Sequence, residues 1–390
     1  MSTEPPLTVA IVGCGIIGAL HARAMSRHPQ LRIVALVDAV PASASALGTL
    51  IVDELAAHRP AEFASLTAAL AATSIDLVVI CAPSGLHVQL AEEALAAGTH
   101  VVIEKPLDVS LERARRIAEL AAAALPRGQV VSVISQHRFD PASVVVAAAA
   151  HGGQFGRLTS AVASVGWWRS QQYYDSGTWR GTWELDGGGA VMNQGVHTVD
   201  LLVWFLGRPV QISAQTALLA HDRIEVEDVA VATIRFESGA LAVLHATTAA
   251  YPGVTVRLQV HGSRGSAIIN DDQLEYFHAA VDGGTPESSV ANQASELVDP
   301  HHLRGHEKEH DSFVIAHLRQ YTDVIEAICT GRQPGVRVED ALVSLAVVRS
   351  IYLSATLGMP VSFEAVLNGD FDQRVVVTGG ATLSATGGVA

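Results

Sequence analysis

Residues Val9 to Gly18 read V-A-I-V-G-C-G-I-I-G, and no other stretch constrains the fold as much. A short apolar run ends at Gly13, glycines recur at 13, 15 and 18, and a helical pattern rich in small residues runs on from Ile16 through Ala19, Ala22 and Ala24. Strand, tight turn and helix N-terminus therefore follow one another. Such a turn lets backbone N–H groups approach a pyrophosphate, and the helix dipole favours the negative charge there. The stretch predicted to hold it is Gly13, Gly15, Ile16, Ile17 and Gly18. A second strand pattern, Ile33 to Val37, ends in Asp38, which lies 20 residues after Gly18. An acidic residue at that spacing accepts hydrogen bonds from an adenine ribose. It also repels a 2′-phosphate, and Val40, Pro41, Ala42 and Ser43 bring no basic group to offset it, so Asp38 implies NAD over NADP.

From Thr8 to about Ser135, apolar strands alternate with amphipathic helices. Strands are expected at 8–13, 33–38, 76–81, 100–103 and 130–134, and helices at 16–28, 41–48, 67–72, 86–97 and 110–123. This alternation predicts a doubly wound parallel sheet covered on both faces, with ligands at the carboxyl ends of its strands. Gly13, Asp38, the turn Ala82-Pro83-Ser84 and the triplet Glu104-Lys105-Pro106 all fall at such ends.

After Pro141 the texture changes. A strand is expected at 156–168, leading into an aromatic loop. The triplet Gly187 to Gly189 opens a helix running to about Leu206. Strand-like runs follow at 210–219, 228–236, 240–249, 254–261 and 266–270, and they read as an antiparallel meander with one face free to pack on that helix. Residues 279–300 are polar and irregular. Two helices are expected at 309–330 and 339–357, and the tail from Asn368 onward is expected to pack poorly. The division is thus a dinucleotide domain at 1–135, a second domain at 136–367 and a tail at 368–390.

Composition excludes several classes. The chain of 390 residues is 49% hydrophobic and carries a net charge of −14 with scattered basic residues, so no basic patch offers itself to nucleic acid. The N-terminal Met1 to Thr8 lacks a basic region followed by an apolar one, as a signal peptide requires. No apolar run is read as approaching the roughly 18–20 residues that span a bilayer; the longest-looking, Ala142 to Ala150, stops at His151-Gly152-Gly153. Cys14, Cys81 and Cys329 are far apart and form no CxxC, as expected of buried thiols in a cytoplasmic protein.

A unit of this type followed by Glu104-Lys105-Pro106 and then G-G-G-A-V-M-N-Q-G-V-H-T-V-D at 187–200 resembles the glucose–fructose oxidoreductase, inositol dehydrogenase and rhizopine-catabolism family (Gfo/Idh/MocA). The resemblance runs from about residue 8 to 363. The segment C-A-P-S-G-L-H at 81–87 is similar to the family's turn after the fourth strand, and its pairing with M-N-Q-G-V-H looks closest to the nucleotide-sugar 3-dehydrogenase branch. The resemblance implies an α/β protein: an N-terminal Rossmann domain and a C-terminal α/β domain on an open, largely antiparallel sheet. It also implies a homodimer or homotetramer through that sheet, and a small carbohydrate or cyclitol as substrate.

Candidate chemistry follows the motifs. Lys105, stiffened by Pro106, can hydrogen-bond a substrate hydroxyl and stabilise charge on its oxygen. Its alternative is a surface lysine paired with Glu104. His197, with an ordinary pKa of about 6.5, is the general acid/base candidate; otherwise it is a core histidine. Asn193 stands four residues before it on the same helical face, and Asp200 three residues beyond can orient the ring or make a purely structural bond. Many family members carry Asp where this chain has Asn193. Asparagine takes no proton, so its expected role is to position substrate by donating to and accepting from a hydroxyl. His87 is expected to cap or line the cofactor turn, along with Ala82, Pro83, Ser84 and Glu104.

Trp167, Trp168, Arg169, Tyr173, Tyr174, Trp179, Arg180 and Trp183 crowd into 17 residues. Rings and guanidinium groups together suit a polyhydroxylated or anionic ligand, and they equally suit a packed loop or subunit contact. Trp167, Arg169, Tyr174, Trp179 and Arg180 are the substrate candidates, with Arg138 as a further one unless it pairs with Asp140 or another acid. His302, His306 and His310 are spaced to share a helical face with His301 nearby, and no metal is expected there. A dinucleotide-binding regulator without turnover is the alternative function; retention of both Lys105 and His197 disfavours it.

Overall fold

The computed structural model describes residues 5–280 and 291–378. The chain divides into two compact units: 1–140 with 309–342, and 141–308 with 343–390. Segment 309–342 thus belongs with the first unit, where a contiguous division would give it to the second.

The first unit is built on six parallel strands: β1 Leu7–Val12, β2 Leu31–Val37, β3 Ala61–Phe63, β4 Leu77–Ile80, β5 His100–Ile103 and β6 Val131–Val133. Their order is β3-β2-β1-β4-β5-β6, and all neighbours run parallel. Helices α1 Ile16–Met25, α2 Pro41–Asp53, α3 Leu66–Ala72, α4 His87–Ala96 and α5 Leu111–Ala124 alternate with them. Strands covered on both faces need continuous apolar runs, and Leu77 to Ile80 are all fully buried. The strand order reverses between β1 and β4, where ligands of such sheets bind. Helix α9, Ser312–Thr330, packs on α1 through Val314, Tyr321, Val324 and Ile325.

The second unit begins with α6 Pro141–His151, the apolar run noted in the sequence, and β7 Leu158–Gly166. A short helix α7 Gln171–Asp175 lies in the aromatic loop, and a π-helical turn Ala190–Gly195 runs into α8 Val196–Leu206. Strands β8 Pro209–Ala217, β9 Val229–Phe236, β10 Leu241–Thr247, β11 Val256–Gly262, β12 Gly265–Asn270 and β13 Gln273–Ala279 follow, and β14 Val361–Ser362 comes after α10 Val338–Leu357. The chain continues into α11 Phe363–Leu367. The sheet order is β13-β12-β11-β7-β10-β9-β8-β14. It is not the simple meander the local pattern predicts: β7 inserts between β11 and β10 and pairs with β10 in parallel. Side chains alternate across the sheet, so that Ala230, Ala232, Ile234 and Phe236 of β9 are buried. Helix α8 packs on β7 and β11.

Two further expectations change. Val338–Leu357 is long and apolar enough to cross a membrane by length and composition, yet Val347, Val348, Ile351, Tyr352 and Leu353 are buried within the protein. Of the tail, Val376 is buried, and Val377 N–H donates to Thr356 Oγ1 at 3.1 Å. Residues 379–390 lie outside the described residues, as do 281–290 of the polar stretch.

Candidate active site

The glycine turn is shaped by two close approaches and one opening. Gly13 has φ +97°, and a Cβ there would meet the Cys81 carbonyl at 2.6 Å. A Cβ on Gly18 would meet the Gly13 carbonyl oxygen at 2.2 Å. Around Gly15, by contrast, nothing lies within 4 Å of where a Cβ would stand. This space at the N-cap of α1 is a cradle open to a ligand, as pyrophosphate binding needs. Ile16 and Ile17 beside it are 87% and 40% exposed. Asp38 Oδ2 accepts the Cys14 N–H at 2.9 Å and Oδ1 accepts the Val40 N–H at 2.8 Å. Each oxygen retains a second lone pair for a ribose hydroxyl. The residues present therefore fit a dinucleotide. Cys14 and Cys81 are free thiols, and burial, with Asp38 nearby, pushes Cys14 up to about 12.

His87 is buried, and its ring nitrogens lie 3.0 Å from the Ala82 carbonyl and 3.1 Å from that of Leu107. It ties the Ala82-Pro83-Ser84 turn to the loop after β5. Burial pushes its pKa down.

At the end of β5 the sequence places Glu104, Lys105 and Pro106. Glu104 is buried. Its Oε1 lies 2.8 Å from His21 Nε2 and its Oε2 accepts the Lys105 N–H at 2.9 Å. His21 Nδ1 in turn lies 2.6 Å from the Tyr321 hydroxyl, and His317 stands 3.9 Å from Glu104. Burial alone would raise the Glu104 pKa, but the hydrogen bond and charge of His21, with His317 and Lys105, hold it at about 2. Glu104 is thus an anion fixed from α1 and α9, and it fixes the backbone of Lys105, which is half-buried. His21, His317 and Tyr321 escape motif reading because they come from α1 and α9, far in sequence from Glu104; all three are buried, His21 bonded to both Glu104 and Tyr321 and packed edge-on against His317. Arg138 is buried, with Asp340 Oδ2 at 3.9 Å, while His137 pairs with Asp140 at 2.7 Å.

In the second unit, Asn193 sits in the π-helical turn and His197 in the first turn of α8, both half-buried. Both Asn193 amide hydrogens are used within the fold. They donate to Asp186 Oδ1 at 2.9 Å and to the Gly188 carbonyl at 3.0 Å. Asp200 is buried and accepts from Ser344 at 2.8 Å.

The glycine triplet is crowded by one side chain and one stretch of main chain. A Cβ at Gly188 would meet the Tyr352 hydroxyl at 2.2 Å, and one at Gly189 the Glu227 carbonyl oxygen at 1.8 Å. Glu227 is fully buried and accepts from Gly189 N, Val191 N and Tyr352 Oη, each at 2.9 Å. It satisfies N–H groups that a helix start leaves without partners. Burial pushes its pKa up to about 7 against the pull of those donors. Neither residue is visible as a site residue in the sequence.

The aromatic loop splits in two. Tyr174 is buried with its hydroxyl 2.9 Å from Thr248, and burial pushes its pKa up to about 12. Trp183 packs edge-on against Tyr352. Trp167 and Trp179 are 38% and 44% exposed and, with Tyr173, stack on Arg169 and Arg180. The histidines between 301 and 310 do not share a helix: Gly305 at φ +94° interrupts them and α9 begins only at Ser312.

Comparison with known proteins agrees with this geometry. Residues 7–134 match the family described as oxidoreductase family, NAD-binding Rossmann fold, and residues 145–268 match the GFO/IDH/MocA C-terminal domain. Inositol 2-dehydrogenase of Rhizobium meliloti is 26% identical over 345 residues, covering 86% of this chain and 93% of that protein. Myo-inositol dehydrogenase Hyg17 of Streptomyces leeuwenhoekii is 31% identical over 264 residues, covering 67% and 75%. The WlbA dehydrogenase from Bordetella pertussis, solved in complex with NADH and UDP-GlcNAcA, is 30% identical with a TM-score of 0.77, covering 93% of this chain and 99% of that one. An NAD-binding parallel sheet, a C-terminal domain on a largely antiparallel one, and matches across both make this chain a member of the Gfo/Idh/MocA oxidoreductase family, a dehydrogenase acting on CH–OH groups.

Proposed function

We propose that the protein oxidises, with NAD, a ring secondary alcohol of a sugar, sugar acid, nucleotide sugar or cyclitol, or reduces the corresponding ketone. One observation carries the reading: the glycine turn, Asp38 and Lys105 stand at the carboxyl ends of β1, β2 and β5, the same edge of one parallel sheet. A lysine at the dinucleotide edge is placed for the reacting end of a bound cofactor. When bound, NAD supplies the hydride acceptor. The chain's own residues handle oxygen and proton. Lys105 hydrogen-bonds the substrate hydroxyl and steadies the negative charge that develops there. His197 takes the hydroxyl proton as general base. Asn193 positions the substrate. The names of the relatives, inositol dehydrogenases and a dehydrogenase solved with a nucleotide sugar acid, support the substrate class.

The partner reading is a second copy of the chain. Val162 of β7, Val243 of β10 and Val231 of β9 are exposed on the outer sheet face, with Val162 and Val243 directly paired. Light scattering of the purified protein should give a dimer or tetramer.

The test is a screen of sugars, inositols and UDP-sugars with NAD, followed by NADH absorbance. With the best substrate, Lys105→Ala and His197→Ala should each lower kcat on the order of 100-fold or more. Near-normal turnover in both variants at saturating substrate would sink the assignment.

A further inference from the structure

The rings and guanidinium groups of the aromatic loop form one alternating series in the second unit. Arg169 lies 4.8 Å from the Trp167 ring centroid and 5.0 Å from that of Tyr173. Arg180 lies 4.3 Å from the same Tyr173 ring and 4.3 Å from that of Trp179. Two cations therefore share one ring. Among the described residues neither forms an ion pair; Asp175, in the same loop, pairs with Arg223 instead. Both guanidinium charges thus stand unmatched by a carboxylate, although the chain as a whole is strongly acidic. Stacking occupies the flat faces of a guanidinium and leaves its N–H edge for a forked hydrogen bond to an oxyanion. Arg169 Nε, moreover, is buried with no acceptor, a cost of roughly 1–3 kcal/mol.

The loop is held rather than loose. Arg169 N–H donates to the Thr248 carbonyl, and the Arg169 carbonyl lies 2.8 Å from His221 Nε2. His221 is fixed by buried Asp228 at 3.0 Å. Beside Arg180, the Gly181 N–H donates to Asp186 Oδ2 at 2.8 Å, and the other oxygen of Asp186 holds Asn193. One buried carboxylate thus ties the loop carrying Arg180 to the turn carrying Asn193.

We propose that Arg169 and Arg180 bind an oxyanion carried by the substrate, so that the alcohol oxidised belongs to an acidic or phosphorylated sugar rather than a neutral one. This rests on the dehydrogenase reading for the word substrate, but the anion site is testable without turnover. Its chemistry is a carboxylate or a phosphate, held by two forks and flanked by rings on which a sugar or a base can stack.

The experiment titrates the protein, loaded with NAD, with glucose, glucuronate, glucose 1-phosphate and UDP-glucose. Binding is followed by tryptophan fluorescence, since Trp167 and Trp179 stack on the two arginines; kcat/KM is measured for any ligand that turns over. At least one charged ligand should bind 10-fold or more tighter than glucose, and added salt should weaken it selectively. Glucuronate against glucose 1-phosphate separates carboxylate from phosphate. Arg169→Gln and Arg180→Gln should each weaken the charged ligand about 10- to 100-fold, the loss of one charge-assisted fork. Arg→Lys at either position keeps charge without the fork and should fall between. Equal affinity for charged and neutral ligands, or charged-ligand affinity unmoved by both substitutions in folded protein, would overturn the proposal. Arginine-dependent anion binding with no turnover of any alcohol would support the anion site and refute the dehydrogenase substrate reading instead.

Discussion

Removing the Tyr352 hydroxyl tests how the turn carrying Asn193 and leading to His197 is held. In the buried knot under the glycine triplet, that hydroxyl donates to Glu227 Oε1 at 2.9 Å and accepts the Met192 N–H at 3.2 Å. Tyr352→Phe keeps the ring and its edge-on contact with Trp183 but deletes one donor and one acceptor. The carboxylate loses a bond, and a main-chain N–H loses its partner away from water. A lost hydrogen bond of about 1 kcal/mol and an orphaned group of roughly 1–3 kcal/mol together give a destabilisation on the order of 2–4 kcal/mol. All five tryptophans lie between residues 167 and 204, within the second unit, so fluorescence-monitored urea unfolding reads that unit directly. The midpoint should drop accordingly. Glu227→Ala, which removes the acceptor of the same bond, should be non-additive with it by about 1 kcal/mol or more in a double-mutant cycle. Since Asn193 follows from this turn, kcat should fall more than KM rises. A loss below about 0.5 kcal/mol with unchanged kcat would show that the Tyr352 hydroxyl does not hold this turn.

The glycine turn separates folding from binding. Gly15→Ala meets no atom in the fold, so its unfolding midpoint should stay near that of the parent while NAD affinity falls at least 10-fold by calorimetry; Gly13→Ala, forced to φ +97° against the Cys81 backbone, should lose stability as well. Glu104 makes the first unit acid-sensitive. Its folded pKa of about 2 lies below the ordinary 4.5, so its contribution, on the order of 3 kcal/mol, is present above pH 4.5 and lost as pH falls toward 2. Glu104→Gln should flatten that limb of the stability profile measured by circular dichroism. Glu227 acts with the opposite sign. Its folded pKa is raised to about 7, so its contribution is full below pH 4.5 and is lost as pH rises through 7; Glu227→Gln should remove that loss.

Much of the first unit is legible in the sequence because its signals are local. The strand, glycine turn and helix at 7–25 are contiguous, and Asp38 follows at a fixed spacing. Strand β3 is missed because Ala61–Phe63 is three residues long and too short for a period. Helix α6, P-A-S-V-V-V-A-A-A-A-H, is apolar nearly all round and shows no helical stripe. The parallel pairing of β7 with β10 joins residues about 80 apart, which no local alternation can reveal. The histidine spacing between 302 and 310 suits a helix, but Gly305 turns the chain away from one. Within the candidate site, Lys105 and His197 were reachable because motifs carry them. Glu227, Tyr352, Asp186 and His21 were not. Glu227, Tyr352 and His21 act through hydrogen bonds to residues distant in the chain, and Asp186 through local bonds that no motif marks; the one sequence hint is the run of three glycines, which records how closely Glu227 and Tyr352 approach.

Hydride transfer between a ring carbon and nicotinamide can be followed with an isotope. The best substrate from the screen is prepared with deuterium on the carbon that bears the reacting hydroxyl, and turned over with NAD in ordinary water. Mass spectrometry of the recovered cofactor should find the deuterium on the reduced nicotinamide, with turnover slowed by Lys105→Ala. Unlabelled NADH with the deuterium washed into solvent would rule out direct hydride transfer, and labelled NADH formed equally fast without Lys105 would rule out its role.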